Sequence, residues 1–357
     1  MLSSAQIRFR SWKEIAVAGS LCTCALGRGA EAMRLQAKNA SASRPGLARR
    51  VFLAGGRLRA GWGLLLFLLL FAALIIGVHS SVSRFHLQTE AAVPGFAEIT
   101  AHETILSTGW QLAALLLITL LMSVVERRSF TGYGLPRARM LSDVGAGLLW
   151  GIVMLSLLVG GLVLTRSLRF NGVMLGPSSA LVYAGKWFAA FFFVGLLEEF
   201  WFRGYLLFTL ARGVRGIANA SSRGQAHARA IGFWVAALIM CFFFVLSHAG
   251  NRGESSLGNL SAAIAGIVFA FSLYRTGSLW WAIGFHTAWD WAQSYLYGVA
   301  NSGSLARGRL LSAVPVGPPL LSGGTAGPEG SILVVPTLLL VALVIHFTLP
   351  RRDLGIA

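Results

Sequence analysis

The sequence predicts an all-α, polytopic membrane protein, built as a single bundle of about eight transmembrane helices. Hydrophobic residues make up 55% of the 357 residues and charged residues only 12%, whereas soluble domains carry roughly 25% charged residues. Apolar segments also follow one another from residue 62 to residue 349. A helix that crosses a bilayer needs ~20 mainly apolar residues, so the chain has room for eight spans and their loops.

Two regions are predicted along the chain. Residues 1–58 are rich in Lys and Arg and have no lasting amphipathic period, so we expect a disordered basic arm on the cytoplasmic face. Residues 59–357 should form the helical bundle, with the chemistry concentrated in a core at 181–297. The cysteines predict neither a disulfide framework nor a cysteine metal cluster; they are Cys22, Cys24 and Cys241.

Eight apolar segments are the predicted spans. They cover residues 62–78, 110–125, 144–164, 181–210, 231–248, 260–273, 279–297 and 332–349. The fourth segment contains Lys186 and two glutamates, the sixth is short, and the seventh contains His286 and Asp290. These three segments should face protein or water rather than lipid, because charge inside a bilayer is costly. Residues 298–330 are rich in Gly and Pro and predict an external loop.

Arginines outside the spans predict the orientation of the bundle. Besides the basic arm, they follow the second, fourth and eighth segments: Arg127, Arg128, Arg137, Arg139, Arg212, Arg215, Arg223, Arg229, Arg351 and Arg352. With eight spans these groups share one side, which should be the cytoplasm. We therefore expect a multi-pass protein of a bacterial plasma membrane with both termini inside. Orientation explains much of the net charge of +17, and no motif predicts binding to nucleic acid.

Glu198 and Glu199 are the most informative residues, because the apolar segments otherwise largely avoid charge. Arg203 lies four residues after Glu199, so the two side chains are neighbours on a helix and should form a buried ion pair. Glu198 points about 100° away from Glu199 and remains available for chemistry. A purely structural polar cluster is the alternative interpretation of these three residues.

Two histidines in later segments favour a chemical role. His248 ends the fifth segment, and Asp290 lies one helical turn after His286. Glu198, His248 and His286 could bind zinc, with Asp290 orienting an imidazole. Without metal, Glu198 and His248 would activate water while His286 and Asp290 hold the oxyanion. The spacing differs from the His-Glu-x-x-His pattern of soluble zinc proteases, so both interpretations stay open.

Three ordered motifs carry a resemblance to a known family. They are Glu198-Glu199…Arg203, Phe244…His248 and His286…Asp290, each in its own apolar segment. Over roughly residues 110–300 the chain resembles the CPBP family of intramembrane proteases, also called the CAAX prenyl protease type II and bacteriocin-processing and self-immunity family. Residue 290 is Asp where the prenyl-protein enzymes of that family usually carry Asn.

The resemblance implies an intramembrane, CAAX-protease-like endopeptidase or metalloprotease. It implies that Glu198 activates water with help from His248, that His286 and Asp290 bind oxyanion or metal, and that Glu199, Arg203 and Phe244 support them. The expected partners are the lipid bilayer and a membrane-bound peptide or protein, with no nucleic acid and no soluble cofactor; Zn²⁺ is the one cofactor considered. A membrane scaffold or immunity factor of the same fold and a proton-coupled transporter are the alternatives.

The sequence leaves one geometrical difficulty. Counted from the cytoplasmic side, His248 lies near the far end of its span and His286 near the near end of its own. The two can meet only if a helix tilts, breaks or starts deeper in the membrane. Gly250 and Gly253, just after His248, could allow a break. The cavity is expected to open towards the cytoplasm.

Overall fold

The computed structural model describes residues 51–54, 57–82, 96–219, 224–251 and 255–352. The chain divides into two units, Met1–Gly56 and Arg57–Ala357. In the first unit, the described residues include a two-residue strand, β1 (Leu53–Ala54). Most of the predicted basic arm, including Cys22 and Cys24, lies outside the described residues and stays a prediction.

The second unit is a bundle of helices. In chain order they are α1 (Ala60–Val82), α2 (Ala101–Val125), α3 (Met140–Leu164), α4 (Pro177–Arg203), α5 (Tyr205–Ala218), α6 (Gln225–His248), α7 (Ser256–Thr276), α8 (Trp280–Trp291), α9 (Pro319–Ser322) and α10 (Val334–Thr348). Among the described residues, six helical segments are long and apolar enough to cross a membrane, with α4 and α5 counted as one. The predicted all-α, polytopic membrane fold is confirmed.

Each predicted apolar segment is helical, but three differ from the expected span. The fourth continues beyond residue 210 to Ala218 and breaks at Gly204, where a Cβ would lie 2.3 Å from the Phe200 carbonyl oxygen. The seventh is only the 12-residue α8 followed by one π-helical turn, Ala292–Leu296. The eighth is the 15-residue α10. Hydropathy thus predicted the positions of the helices better than their ends.

Local signals set several helix ends. Thr100 caps α2 by accepting a hydrogen bond from the Glu103 backbone N–H at 3.2 Å, and Glu103 adds an acidic side chain to the first turn. Ser255 caps α7 in the same way, and α7 ends at Gly277 in the left-handed region with φ 65°.

Short strands gather at one end of the bundle. They are β3 (Ala97–Ile99), β4 (Leu168–Val173), β5 (Ser304–Ala306) and β6 (Leu311–Pro315). Strand β2 (Arg57–Leu58), which precedes α1, is not one of them. Strand β3 pairs with β5 in parallel, and β4 pairs with β6 antiparallel. These pairs place the start of α2, the end of α3 and residues 298–333 at the same end, which we call the ribbon end. The predicted external loop is therefore a folded layer.

Hydrogen bonds tie the opposite end together. The Leu279 N–H donates to the Gly134 carbonyl at 2.8 Å, the Arg275 guanidinium donates to the Leu349 carbonyl at 2.6 Å, and the Arg352 N–H donates to the Arg275 carbonyl at 2.7 Å. We call this the basic end; it comprises residues 126–139, 204–219, 224–229, 275–280 and 349–352.

Glu126 organises a buried polar cluster at the basic end. Its side chain accepts hydrogen bonds from Arg212 at 2.5 Å, Tyr205 at 2.6 Å and Tyr133 at 3.2 Å. Arg212, which the sequence suggested was only a loop charge, is therefore mostly buried in an ion pair. This cluster fixes the end of α2 against α5.

Helix α8 packs closely against α3 because glycines replace side chains at their contact. A Cβ on Gly151 would lie 2.5 Å from the Phe285 carbonyl oxygen, and one on Gly284 would lie 2.3 Å from the Val144 carbonyl oxygen. Small residues allow helix backbones in membranes to approach in this way. The contact sets the position of the histidine that follows Phe285.

Candidate active site

Four side chains predicted to carry the chemistry lie together. Glu198 comes from α4, His248 from the end of α6, and His286 and Asp290 from α8. The Oε2 atom of Glu198 lies 3.9 Å from Nε2 of His248 and 3.9 Å from Nε2 of His286. The same His286 nitrogen lies 3.5 Å from Oδ2 of Asp290. One carboxylate thus faces two imidazoles from different helices.

Despite the predicted difference in depth, His248 and His286 meet at Glu198. Leu279 and Trp281 are buried, so the start of α8 is covered by other parts of the bundle. Helix α6 stays helical through His248, and Gly250 lies in the turn that follows, so no break precedes the histidine. Gly253 lies outside the described residues.

Glu199 has two partners and is fully buried. Its Oε2 atom accepts a hydrogen bond from Arg203 Nη1 at 2.8 Å, which is the ion pair the sequence predicted. Its Oε1 atom lies 3.1 Å from Nδ1 of His286, a contact the sequence did not predict. With a proton on Nδ1 donated to Glu199, the Nε2 side of the ring faces Glu198 and Asp290.

Aromatic rings enclose the ion pair. The Arg203 guanidinium carbon lies 5.1 Å from the centre of the Phe244 ring and 5.3 Å from that of Phe269. Phe244 also packs against His248, with ring centres 4.5 Å apart. Phe244, which was predicted to support the site, therefore packs against both the buried guanidinium of Arg203 and the ring of His248.

A cavity of about 280 Å³ opens beside these residues. Its ionisable lining consists of Glu198, His248, His286, Asp290 and Glu329, and its apolar walls include Phe191, Phe244, Phe269 and Trp289. The Glu198 side chain remains 27% exposed, yet its Oε2 atom is buried and has no hydrogen-bond partner. Glu198 therefore lines the cavity, although its Oε2 atom is itself covered by protein.

Glu329 is a cavity residue that the sequence did not single out. It belongs to the ribbon end and accepts hydrogen bonds from the Ser302 backbone N–H at 2.5 Å and from the Gln293 side chain. Burial raises the pKa of Glu329 to about 7, and the nearby charge of Asp290 adds to the effect. Its only sequence signal was a carboxylate within a Gly/Pro-rich stretch, which predicts a turn.

The side chains at the site are of types that can bind a metal cation, but their positions do not match a zinc site. Glu199 is paired with Arg203, whereas Glu198 and Asp290 approach the two histidines. Zinc ligands lie ~2.0–2.2 Å from the metal, and the described residues include no group of three or more His, Cys, Asp or Glu placed to hold a metal ion. The predicted ligands Glu198, His248 and His286 therefore do not form a preorganised zinc site.

Comparison with known proteins finds a family match over part of the chain. Residues 180–292 match the family described as type II CAAX prenyl endopeptidase Rce1-like. The matched range is less than half of the chain; it contains Glu198, His248, His286 and Asp290 and excludes Glu329. No curated protein and no solved structure matches the chain significantly. The family resemblance read from the three motifs is confirmed, and it supports a CAAX-type intramembrane protease at family level.

Proposed function

We propose that this multi-pass membrane protein is an intramembrane endopeptidase that hydrolyses a peptide bond in a membrane-associated peptide or protein. The match of residues 180–292 to the type II CAAX prenyl endopeptidase family supports the proposal. One observation carries the proposal. The Glu198 side chain lines the cavity, and its Oε2 atom, which has no hydrogen-bond partner, lies 3.9 Å from Nε2 of His248 and 3.9 Å from Nε2 of His286. Such a carboxylate can act on a water that enters the cavity, beside groups that can hold the water and the substrate.

The first step uses Glu198 as a general base. At 3.9 Å no direct hydrogen bond joins its Oε2 atom to Nε2 of His248, so a water admitted from the cavity by a small rotation of the carboxylate can hydrogen-bond to both. Glu198 takes a proton from the water while the water oxygen bonds to the peptide carbonyl carbon. General-base help of this kind contributes about 10²–10⁴-fold in rate.

His286 supplies the stabilising charge in this mechanism. Held by Glu199 through Nδ1, the protonated ring presents its Nε2–H to the carbonyl oxygen as that oxygen becomes negative. Asp290, 3.5 Å from the same nitrogen, favours the protonated ring. The presence of Asp instead of the usual Asn is accommodated, because His286 rather than residue 290 is the donor. The C–N bond then breaks as Glu198 returns its proton to the leaving amine.

A zinc-dependent form of the reaction is the second candidate, and one observation favours it. The contact of Glu199 with Nδ1 of His286 is the kind of contact by which carboxylates orient metal-binding histidines. Glu198, His248 and His286 would be the ligands after local rearrangement, and zinc would supply Lewis-acid chemistry.

Peptide cleavage by the pure protein tests the proposal. We would incubate the detergent-solubilised protein with a library of membrane-inserting peptides and locate cleaved bonds by mass spectrometry. Wild-type protein should cut internal bonds, and Glu198→Gln should not. Absence of cleavage by folded wild-type protein throughout such a library would contradict the proposal and favour the scaffold or transporter alternatives.

A further inference from the structure

The cavity belongs to one end of the bundle. Beyond the helices, its lining comes from turns and loops at the ribbon end, namely Asn251, Asn301, Ser302, Ser304 and Glu329. Ile99, the last residue of β3, and Thr104, in the first turn of α2, line it at the same end. Within the part of the chain that the structure describes, no residue of the basic end contributes to the lining.

Apolar packing closes the other direction. Phe200, which directly follows Glu199, and Ile283, one turn before His286, are both fully buried. They belong to one continuous hydrophobic cluster that extends to Tyr133, Leu135 and Leu279 at the basic end. Side chains therefore fill the bundle between the candidate active site and the basic end, and the loops that line the cavity lie at the ribbon end.

The two ends differ in charge. The basic end is rich in arginine, with Arg128, Arg139, Arg229 and Arg351 among its residues. The ribbon end mixes both signs: Arg307, for example, is paired with Glu98 at 3.0 Å. An excess of arginine in short loops marks the cytoplasmic side of a membrane protein. The two expectations from the sequence, basic loops inside and a cavity opening inside, therefore conflict.

We propose that the site opens on the non-cytoplasmic side of the membrane and acts on peptide segments that leave the bilayer on that side. The assignment of a substrate rests on the proposed protease function, whereas the side of the opening does not. The substrate class is then the non-cytoplasmic juxtamembrane segment of a membrane-anchored protein or peptide, rather than a cytoplasmic carboxyl-terminal tail.

Cysteine labelling in cells tests the side. In a chain in which Cys22, Cys24 and Cys241 are replaced by alanine, single cysteines are placed by Val316→Cys at the ribbon end and Ser129→Cys at the basic end; both native side chains are exposed. A membrane-impermeant maleimide should label Val316→Cys in intact cells and Ser129→Cys only after permeabilisation. The reverse pattern would overturn the proposal.

A paired reporter tests the substrate class. One peptide that the purified enzyme cleaves is placed beside the single span of a reporter, either on its non-cytoplasmic or on its cytoplasmic side. Only the first reporter should be cut, and Glu198→Gln should leave it intact. Cleavage of the cytoplasmic reporter alone would refute the inference. If no peptide can be cleaved in detergent, the protease function fails, and the labelling still decides which side the cavity faces.

Discussion

The Nδ1 atom of His286 lies 3.1 Å from Oε1 of Glu199. This contact gives the two adjacent glutamates different tasks. Both oxygens of the buried Glu199 have partners, Arg203 and His286, whereas the Oε2 atom of Glu198 has no hydrogen-bond partner and its side chain lines the cavity. Glu199, which orients the proposed oxyanion-binding residue His286, thus directly follows the proposed base Glu198 on α4.

Replacing Glu198 by Gln should lower peptide hydrolysis by about 10²–10⁴-fold, because the amide cannot take a proton from water. The thermal melting temperature should change little, since the affected oxygen has no hydrogen-bond partner. Initial rates on a cleavable peptide provide the measurement. Glu98→Gln, a carboxylate at the same end but outside the cavity lining, is the matched control; loss of activity in both variants would argue against a specific role.

Arg203→Met should destabilise the protein by roughly 3–5 kcal/mol, because it leaves the buried Glu199 carboxylate without its cation. Folded yield and melting temperature measure the loss. The double variant Glu199→Gln with Arg203→Met should recover part of the stability, since it removes the unpaired charge. Equal stability of the wild type and Arg203→Met would rule out the pairing as a stabilising contact.

Chelation distinguishes the two forms of the mechanism. From the arrangement of the donors we expect full activity after dialysis against a chelator, with far less than one zinc per chain by elemental analysis. His248→Ala and His286→Ala should then lose activity without changing the metal content. One zinc per chain, activity lost on chelation and restored by zinc, and loss of metal in both variants would instead establish the zinc-dependent form.

Gly151→Val should reduce both folded yield and activity. Its first side-chain carbon would lie 2.5 Å from the Phe285 carbonyl oxygen and would push α8 away from α3, at a cost of about 1–3 kcal/mol or more. Gly160→Val is the control on the same helix, because nothing lies within 4 Å of its added carbon. Similar melting curves for the two variants would contradict the proposed close contact.

Glu329 should make stability depend on pH. Its pKa rises from an ordinary value of 4.5 to about 7 in the folded protein, mainly through burial and further through the charge of Asp290. Between these pH values the folded state binds more protons than the unfolded state, so this contribution to stability falls as pH rises and levels off above about pH 7.

A comparison with Glu329→Gln isolates that contribution. The melting temperature of the wild type relative to the variant should be higher at pH 5 than at pH 8, by ~2 °C or more. A difference that does not change with pH would show that the buried carboxyl titrates normally.

The sequence predicted the helical membrane fold and the set of residues that converge, because an ionisable side chain in an apolar segment needs a reason to be there. It could not predict the contact of Glu199 with His286, which are 87 residues apart. Nor could it predict that Glu329 reaches the cavity, since Gly/Pro-rich stretches follow no period. The extent of the fourth segment was wrong because α5 continues past the break at Gly204, and hydropathy does not register such a bend.

The glycine contacts mean that backbone atoms, rather than interlocking side chains, hold α8 against α3. Backbone atoms of Val144 and Phe285 set how closely α8, which carries His286, approaches α3. The cavity walls include side chains of other helices, among them Phe191 of α4 and Ala265 of α7. Exchanging these wall residues should therefore change which peptides the proposed site accepts, while the packing of α8 against α3 is kept.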